Sequence, residues 1–178
     1  AYGDMSGIVP LTQILDFSMS EPISFRENLQ FILRVDSMAS AYGAPEKARV
    51  YRINPVDSSW QVVYGITPDS LSVINFSDTI LFTFFVGIDT IKPEVVNISD
   101  TSIKPMAGLS YVITGSVSDN VSNVRTTLFY RQGGISRFDS TLVTPDQNGN
   151  FTNSVNVGIN GLEYFIQADD GCNVVRSV

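Results

Sequence analysis

Apolar and polar residues alternate with a period of two along most of the chain, and the 3.6-residue period of an amphipathic helix is nearly absent. The alternation is clear in residues 29–35, 60–64 and 80–86, and it recurs throughout the second half. These segments are rich in Val, Ile, Thr, Phe and Tyr, which suit a pleated surface with one buried face. The pattern therefore predicts an all-β protein built from antiparallel strands.

A break in the pattern at residues 87–93 predicts a domain boundary. The hydrophobic strand before it ends at Gly87, and Asp89 and Pro93 then disfavour strand pairing before a new strand begins at Glu94. A chain of 178 residues is long enough for two small domains. We therefore expect two tandem antiparallel β-sandwiches, 1–88 and 89–178. The first residues show no clear strand signal, so we expect the 1–88 domain to be N-terminally incomplete and the chain to be an excerpt from a longer one.

The second half divides into about seven short segments of strand character. They are predicted near residues 94–98, 110–118, 123–131, 136–143, 149–157, 162–169 and 173–178. Seven strands in about 90 residues is typical of an immunoglobulin-like or fibronectin type III-like sandwich. The Cys-Trp-Cys pattern of antibody domains is missing, so the prediction is a disulfide-free relative.

Several motifs of this half resemble the immunoglobulin/fibronectin type III-like accessory modules of secreted or surface bacterial proteins. They are Asp-Asn-Val-Ser-Asn-Val at 119–124, Leu-Phe-Tyr-Arg at 128–131 and Tyr-Phe-Ile-Gln-Ala-Asp at 164–169, after an Asp-Thr-Ile-Lys-Pro linker at 89–93. The first half is similar to the β-sandwich segments that precede such modules. The resemblance implies an extracellular or cell-surface bacterial location. It implies other domains of the same chain as partners, together with a cell-surface protein or carbohydrate.

Composition removes several classes of function. The chain has no His and a single Cys, so neither a His-dependent catalytic triad nor a His- or Cys-rich zinc site can form within it. The net charge of −7 disfavours nucleic acid, whose phosphates need a basic surface. The longest apolar stretch, 79–87, is far shorter than the ~20 residues that a membrane-spanning helix needs. We therefore predict no enzymatic activity, no nucleic-acid partner and no membrane insertion.

Acidic and amide residues cluster in the predicted turns near the domain boundary. In a sandwich of this strand order, Asp89, Asp119, Asn120, Asp169 and Asp170 would gather at one pole of the second domain. Carboxylates and amide carbonyls are the ligands that Ca²⁺ takes, so these five residues form a candidate calcium site at the domain junction. Asp and Asn are also common turn formers, and a structural role without metal is the simpler interpretation. No other cofactor is predicted.

Aromatic residues on the predicted strands offer a second candidate site. Tyr51, Trp60 and Tyr64 would be able to stack against a sugar if their side chains lay on a solvated face of the sheet. The simpler interpretation is that they belong to a core or to a contact between domains. The leading functional prediction is a non-catalytic spacer or adhesion module pair from a larger bacterial surface or secreted protein. The alternative is a carbohydrate-binding module of a secreted enzyme.

Overall fold

The computed structural model describes residues 5–16, 24–35, 45–70, 72–80, 83–99 and 105–177, and it is all-β with antiparallel pairing, as predicted. One short 3-10 helix, Pro45–Lys47, precedes the third strand. The strands are β1 (Ile8–Pro10), β2 (Ser24–Arg34), β3 (Arg49–Ile53), β4 (Trp60–Val62), β5 (Val73–Ile80), β6 (Phe84–Asp89), β7 (Glu94–Asn97), β8 (Ser110–Ser118), β9 (Arg125–Gln132), β10 (Asp139–Val143), β11 (Asn150–Asn156), β12 (Leu162–Asp169) and β13 (Val174–Arg176).

The chain forms two compact units whose membership is not continuous in sequence. The first unit contains Ala1–Ile91 together with Asn120–Asn123 and Asp170–Asn173, and the second contains the remainder. The main division falls after Ile91, which lies inside the sequence break at residues 87–93. The two added segments follow β8 and β12, so the fold of the first unit is completed by turns from the second half of the chain.

The first unit contains a four-stranded sheet in the order β1-β6-β3-β4 and a two-stranded sheet of β2 and β5. In the four-stranded sheet, β6 is paired on both sides, with β1 and with β3. The main hydrophobic core of the first unit contains side chains from both sheets and from the intervening loops: Leu11, Val35, Ala48, Val50, Ile74, Phe76, Phe84, Val86 and Ile88.

Every residue of β6 is buried, which corrects the expectation of one solvated face in this segment. Phe84 and Val86 belong to the main core. Phe85 points to the other side of the strand, where its ring stacks on Tyr51 at 5.3 Å between centroids and meets the edge of Trp60 at 4.7 Å. A strand that is covered on both faces is apolar throughout rather than alternating. The predicted run across 80–86 is also divided, since β5 ends at Ile80 and β6 begins at Phe84, with residues 81–82 outside the described part.

The second unit contains a four-stranded sheet in the order β10-β9-β12-β13 and a three-stranded sheet in the order β11-β8-β7. Its core draws on both sheets and is formed by Tyr111, Ile113, Val117, Leu128, Val143, Phe151, Val155, Val157, Ile166 and Ala168. Gly115 leaves room for side chains of both sheets, because a Cβ at this position would lie 2.6 Å from the Phe151 ring in its own sheet and 3.0 Å from the Ile166 side chain in the opposite sheet. Ile113, Leu128 and Ile166 are fully buried, which agrees with the alternation of apolar and polar residues along this half of the sequence.

Candidate metal centre

Three separate stretches of chain meet around Asp89 within the first unit: the end of β6, the segment 120–123 and the segment 170–173. Asp89 is the last residue of β6 and is only 1% exposed. Its Oδ1 accepts hydrogen bonds from the Ile91 backbone N–H at 2.9 Å and from Asn120 Nδ2 at 3.2 Å. Asn120 Nδ2 also donates to the carbonyl oxygen of Ser6 at 2.9 Å. The Asp89 carboxylate is thereby held in a fixed orientation by one backbone and one side-chain donor.

Asp170 organises the turn between β12 and β13. It is fully buried, and its Oδ1 accepts hydrogen bonds from the backbone N–H groups of Cys172 and Asn173, both at 2.6 Å. Asn173 Nδ2 donates to Asp170 Oδ2 at 3.0 Å and to the Ile91 carbonyl oxygen at 2.8 Å. The turn is a local consequence of an Asp followed by residues with free N–H groups. Asn173 then ties this turn to the chain that follows β6.

The two buried carboxylates lie close together. A carboxylate oxygen of Asp89 and one of Asp170 are within 4.8 Å of each other, and neither residue forms an ion pair with a Lys or Arg among the described residues. The pKa of Asp89 is raised to about 6, chiefly by burial and in smaller part by the negative charge of Asp170, against the opposing effect of the hydrogen bonds from Ile91 and Asn120. The arrangement concentrates negative charge where water is excluded.

Two oxygen atoms of this cluster accept no hydrogen bond from any residue that the structure describes. They are Oδ2 of Asp89 and Oδ1 of Asn120, and both atoms are buried. Buried polar atoms are nearly always hydrogen-bonded, so each such atom in a folded protein calls for an explanation. The cluster therefore presents two unused oxygen ligands in addition to the carboxylate of Asp170.

The five residues predicted as calcium ligands divide between the two units. Asp89, Asn120 and Asp170 come together in the first unit, although the sequence could not show which unit would contain them. Asp119 is joined to Asn120 by the peptide bond and is the last residue of its segment of the second unit. Asp169 also belongs to the second unit, where it ends β12 opposite Val174 and Arg125.

Cys172 lies beside this cluster, and the surroundings of its thiol are those of a structural residue and not of a reactive one. Its thiol donates to the Lys47 carbonyl oxygen at 3.1 Å and lies 3.2 Å from the Tyr51 hydroxyl. Burial raises the pKa of Cys172, and burial also raises the pKa of Tyr51 strongly. A thiol that stays protonated is a poor nucleophile. Neither the role of Asn173 nor the contact of Tyr51 with Cys172 is marked by a local sequence pattern, because both depend on residues more than 80 positions apart.

Asn123 fixes the other turn segment to β4. Its side-chain Oδ1 accepts from the Val62 backbone N–H at 2.9 Å, and its Nδ2 donates to the Val62 carbonyl oxygen at 2.8 Å. The amide thus pairs with Val62 as a neighbouring strand would. The Tyr64 hydroxyl donates to the Asn123 carbonyl oxygen at 3.0 Å, so the polar end of Tyr64 is also committed to this contact.

The aromatic residues predicted as sugar contacts are largely enclosed. Tyr51 is 0% exposed and Trp60 is 1% exposed, and both pack against Phe85. This burial agrees with the simpler interpretation, a position in a core, and not with the solvated face that sugar stacking requires. The cause is the cover on both faces of β6, which the alternation of nearby strands did not predict. Tyr64 is half-buried.

A second group of aromatic residues lies on the outer face of the β9–β12 pair in the second unit. The rings of Phe129 and Phe165 stack at 4.9 Å with an interplanar angle of 11°, and the Arg176 guanidinium lies 5.0 Å from the Phe165 centroid. Sugar binding by stacking needs an open ring face. Here the ring faces are turned toward one another and toward a guanidinium group, so this row is a self-contained surface cluster.

Comparison of the chain with protein-family models, curated proteins and solved structures finds no match. The resemblance to immunoglobulin/fibronectin type III-like modules therefore rests on the sequence motifs and stays a prediction. No helix among the described residues has the length and apolar character needed to cross a membrane.

Proposed function

We propose that the chain is a non-catalytic pair of structural modules from a bacterial surface or secreted protein, serving as a spacer or adhesion segment. The observation that carries this proposal is the hydrogen bonding of the buried and half-buried polar side chains. Asn123, Asp170 and Asn173 each bond to the backbone of another segment or of their own turn, so their polar atoms hold the chain together. Groups committed in this way stabilise a fold instead of acting on a substrate.

The chemistry around Cys172 supports the same conclusion. A catalytic thiol needs a lowered pKa and an adjacent base. Burial raises the pKa of Cys172, and the thiol contacts a hydroxyl and a carbonyl oxygen. With no His anywhere in the chain, we propose that this part of the molecule is structural.

The arrangement proposed for each module is a β-sandwich, with the second of immunoglobulin or fibronectin type III type. Support comes from its four-stranded and three-stranded antiparallel sheets, built from β7 to β13, and from a core to which both sheets contribute. Side chains of opposing sheets that share one core are the defining feature of sandwiches. The burial of Tyr51 and Trp60 removes two of the three residues on which the carbohydrate-binding alternative depended.

Two measurements test the proposal. The first is the sequence of the gene on both sides of this region, where we expect an export signal upstream and a further domain or surface anchor in the same reading frame. A reading frame that encodes an intracellular protein would overturn the proposal. The second is a glycan array probed with the whole chain and with Tyr64→Ala. Saturable sugar binding that is lost in Tyr64→Ala would replace the spacer with the carbohydrate-binding module.

A further inference from the structure

We propose that Asp89, Asn120 and Asp170 form a binding site for a divalent cation, and that Ca²⁺ is the ion it takes. The three residues come from three separate stretches of chain and meet inside the first unit. This inference does not depend on the proposed spacer function, since a cation site is compatible with any role of the chain.

The proximity of two acids would not by itself indicate a ligand, but the burial of Asp89 and its unused carboxylate oxygen do. Only 1% of this residue is exposed, and Oδ2 accepts no hydrogen bond from the described residues. The other oxygen, Oδ1, is held by Ile91 and Asn120, so the orientation of the unused oxygen is fixed. An ionised carboxylate that is desolvated on one side and close to a second carboxylate is unfavourable unless a positive charge compensates it.

The second observation comes from a residue that is not acidic. Asn120 uses Nδ2 for Asp89 and for the Ser6 carbonyl oxygen, which leaves its Oδ1 buried and without a described donor. If the site were only a hydrogen-bonded network, a neighbouring N–H or O–H would be expected at this oxygen. Two unused oxygens, on Asp89 and Asn120, together with a nearby Asp170 carboxylate form a set of acceptors that lacks its positive partner.

The ligand chemistry favours Ca²⁺ over other divalent ions. All three side chains offer hard oxygen ligands, one of them a neutral amide, and Ca²⁺ accepts such mixed and irregular shells of six to eight oxygens. Mg²⁺ needs near-ideal octahedral geometry, and Zn²⁺ prefers nitrogen and sulfur ligands. The neighbouring thiol of Cys172 is directed to Lys47 and Tyr51. Water would contribute the remaining ligands.

The competing occupant is a proton on Asp89, and the test is designed to separate the two. The Asp89→Asn variant keeps an Oδ1 acceptor for Ile91 and Asn120, replaces the unused oxygen with an amide nitrogen, and removes one negative charge. It should therefore fold in the absence of metal. Asp146→Asn is the matched control, because Asp146 likewise accepts two hydrogen bonds through Oδ1, both from backbone N–H groups of its turn, but is exposed.

The experiment is thermal unfolding of the full chain and of both variants in excess EGTA and in 5 mM CaCl₂ at pH 7.5. For a dissociation constant of ~10⁻⁴–10⁻³ M, mass action predicts a rise in Tm of about 2–9 °C for the parent chain and for Asp146→Asn. We expect Asp89→Asn to show the same Tm in both buffers. Calorimetric titration with CaCl₂ should show one site, with affinity lowered at least ~10-fold in Asn120→Ala through the loss of an oxygen ligand.

Two results would overturn the proposal. Coincident melting curves for the parent chain in EGTA and CaCl₂, with a Tm that rises only on acidification, would assign the compensating charge to a proton. A calcium-dependent rise in Tm that persists unchanged in Asp89→Asn and in Asn120→Ala would place the ion elsewhere. If Asp89→Asn fails to fold, the titration of Asn120→Ala decides alone, because that variant leaves both carboxylates in place.

Discussion

The Asn123→Ala variant should destabilise the first unit by about 2–4 kcal/mol. Val62 is 2% exposed, and its backbone N–H and carbonyl groups both bond to the Asn123 side chain at 2.9 and 2.8 Å. Truncation leaves both groups without these partners, and an unsatisfied buried donor or acceptor costs about 1–3 kcal/mol. For the two groups together this amounts to about 2–6 kcal/mol. Asn123 itself is half-buried, so water can reach part of the vacated space, and the total cost is expected in the lower half of that range.

The matched control is Asn75→Ala in the same unit. Asn75 is exposed on β5, where its side chain accepts one hydrogen bond from Gln30, so its truncation should change the free energy of unfolding by less than about 0.5 kcal/mol. Urea unfolding followed by Trp60 fluorescence is a suitable assay, because Trp60 is buried in the same unit. A loss of 2–4 kcal/mol corresponds to a Tm lower by roughly 5–15 °C for a chain of this size.

Equal free energies of unfolding for Asn123→Ala and Asn75→Ala would refute a stabilising role of the Asn123 side chain. A further variant, Asn123→Asp, keeps an acceptor for the Val62 N–H but places a second acceptor against the Val62 carbonyl oxygen. It should be less stable than the parent chain at neutral pH. Full stability in Asn123→Asp would show that the bond from Nδ2 to Val62 contributes nothing.

Three further predictions concern packing and reactivity. Leu128→Ala should lower the free energy of unfolding of the second unit by about 2–5 kcal/mol in urea titrations, since Leu128 is fully buried and a cavity would remain; an unchanged midpoint would contradict the assignment. Gly115→Ala should lower the free energy of unfolding by about 1–3 kcal/mol in the same assay, because its Cβ would meet the Phe151 ring and the Val96 carbonyl oxygen. Gly65→Ala tests the effect of backbone strain alone, since a Cβ at this position meets nothing within 4 Å. Cys172 should react with a thiol reagent at pH 8 far more slowly in the native chain than in urea, since burial raises its pKa, and equal rates would disprove the structural role.

Local pattern was sufficient to define most strands of the second unit. The predicted segments 110–118 and 162–169 coincide with β8 and β12, and the inward parity of Ile113, Leu128 and Ile166 follows from the pleat. A period of two depends only on the geometry of an extended chain. It therefore appears in the sequence whatever the rest of the fold does.

The candidate site required tertiary structure, because it depends on which elements become neighbours. The pleat of β6 is the same whether one face or both are covered, so only the packing of Tyr51, Trp60 and Phe85 shows that both are. Asp169 and Asp170 are adjacent in sequence, yet one ends the ladder of β12 while the other enters a buried turn beside Asp89. The sequence indicated which residue types were able to bind a cation. The long-range contacts of residues 89, 120 and 170 decided which of them share a site, because such contacts join segments between which no local period exists.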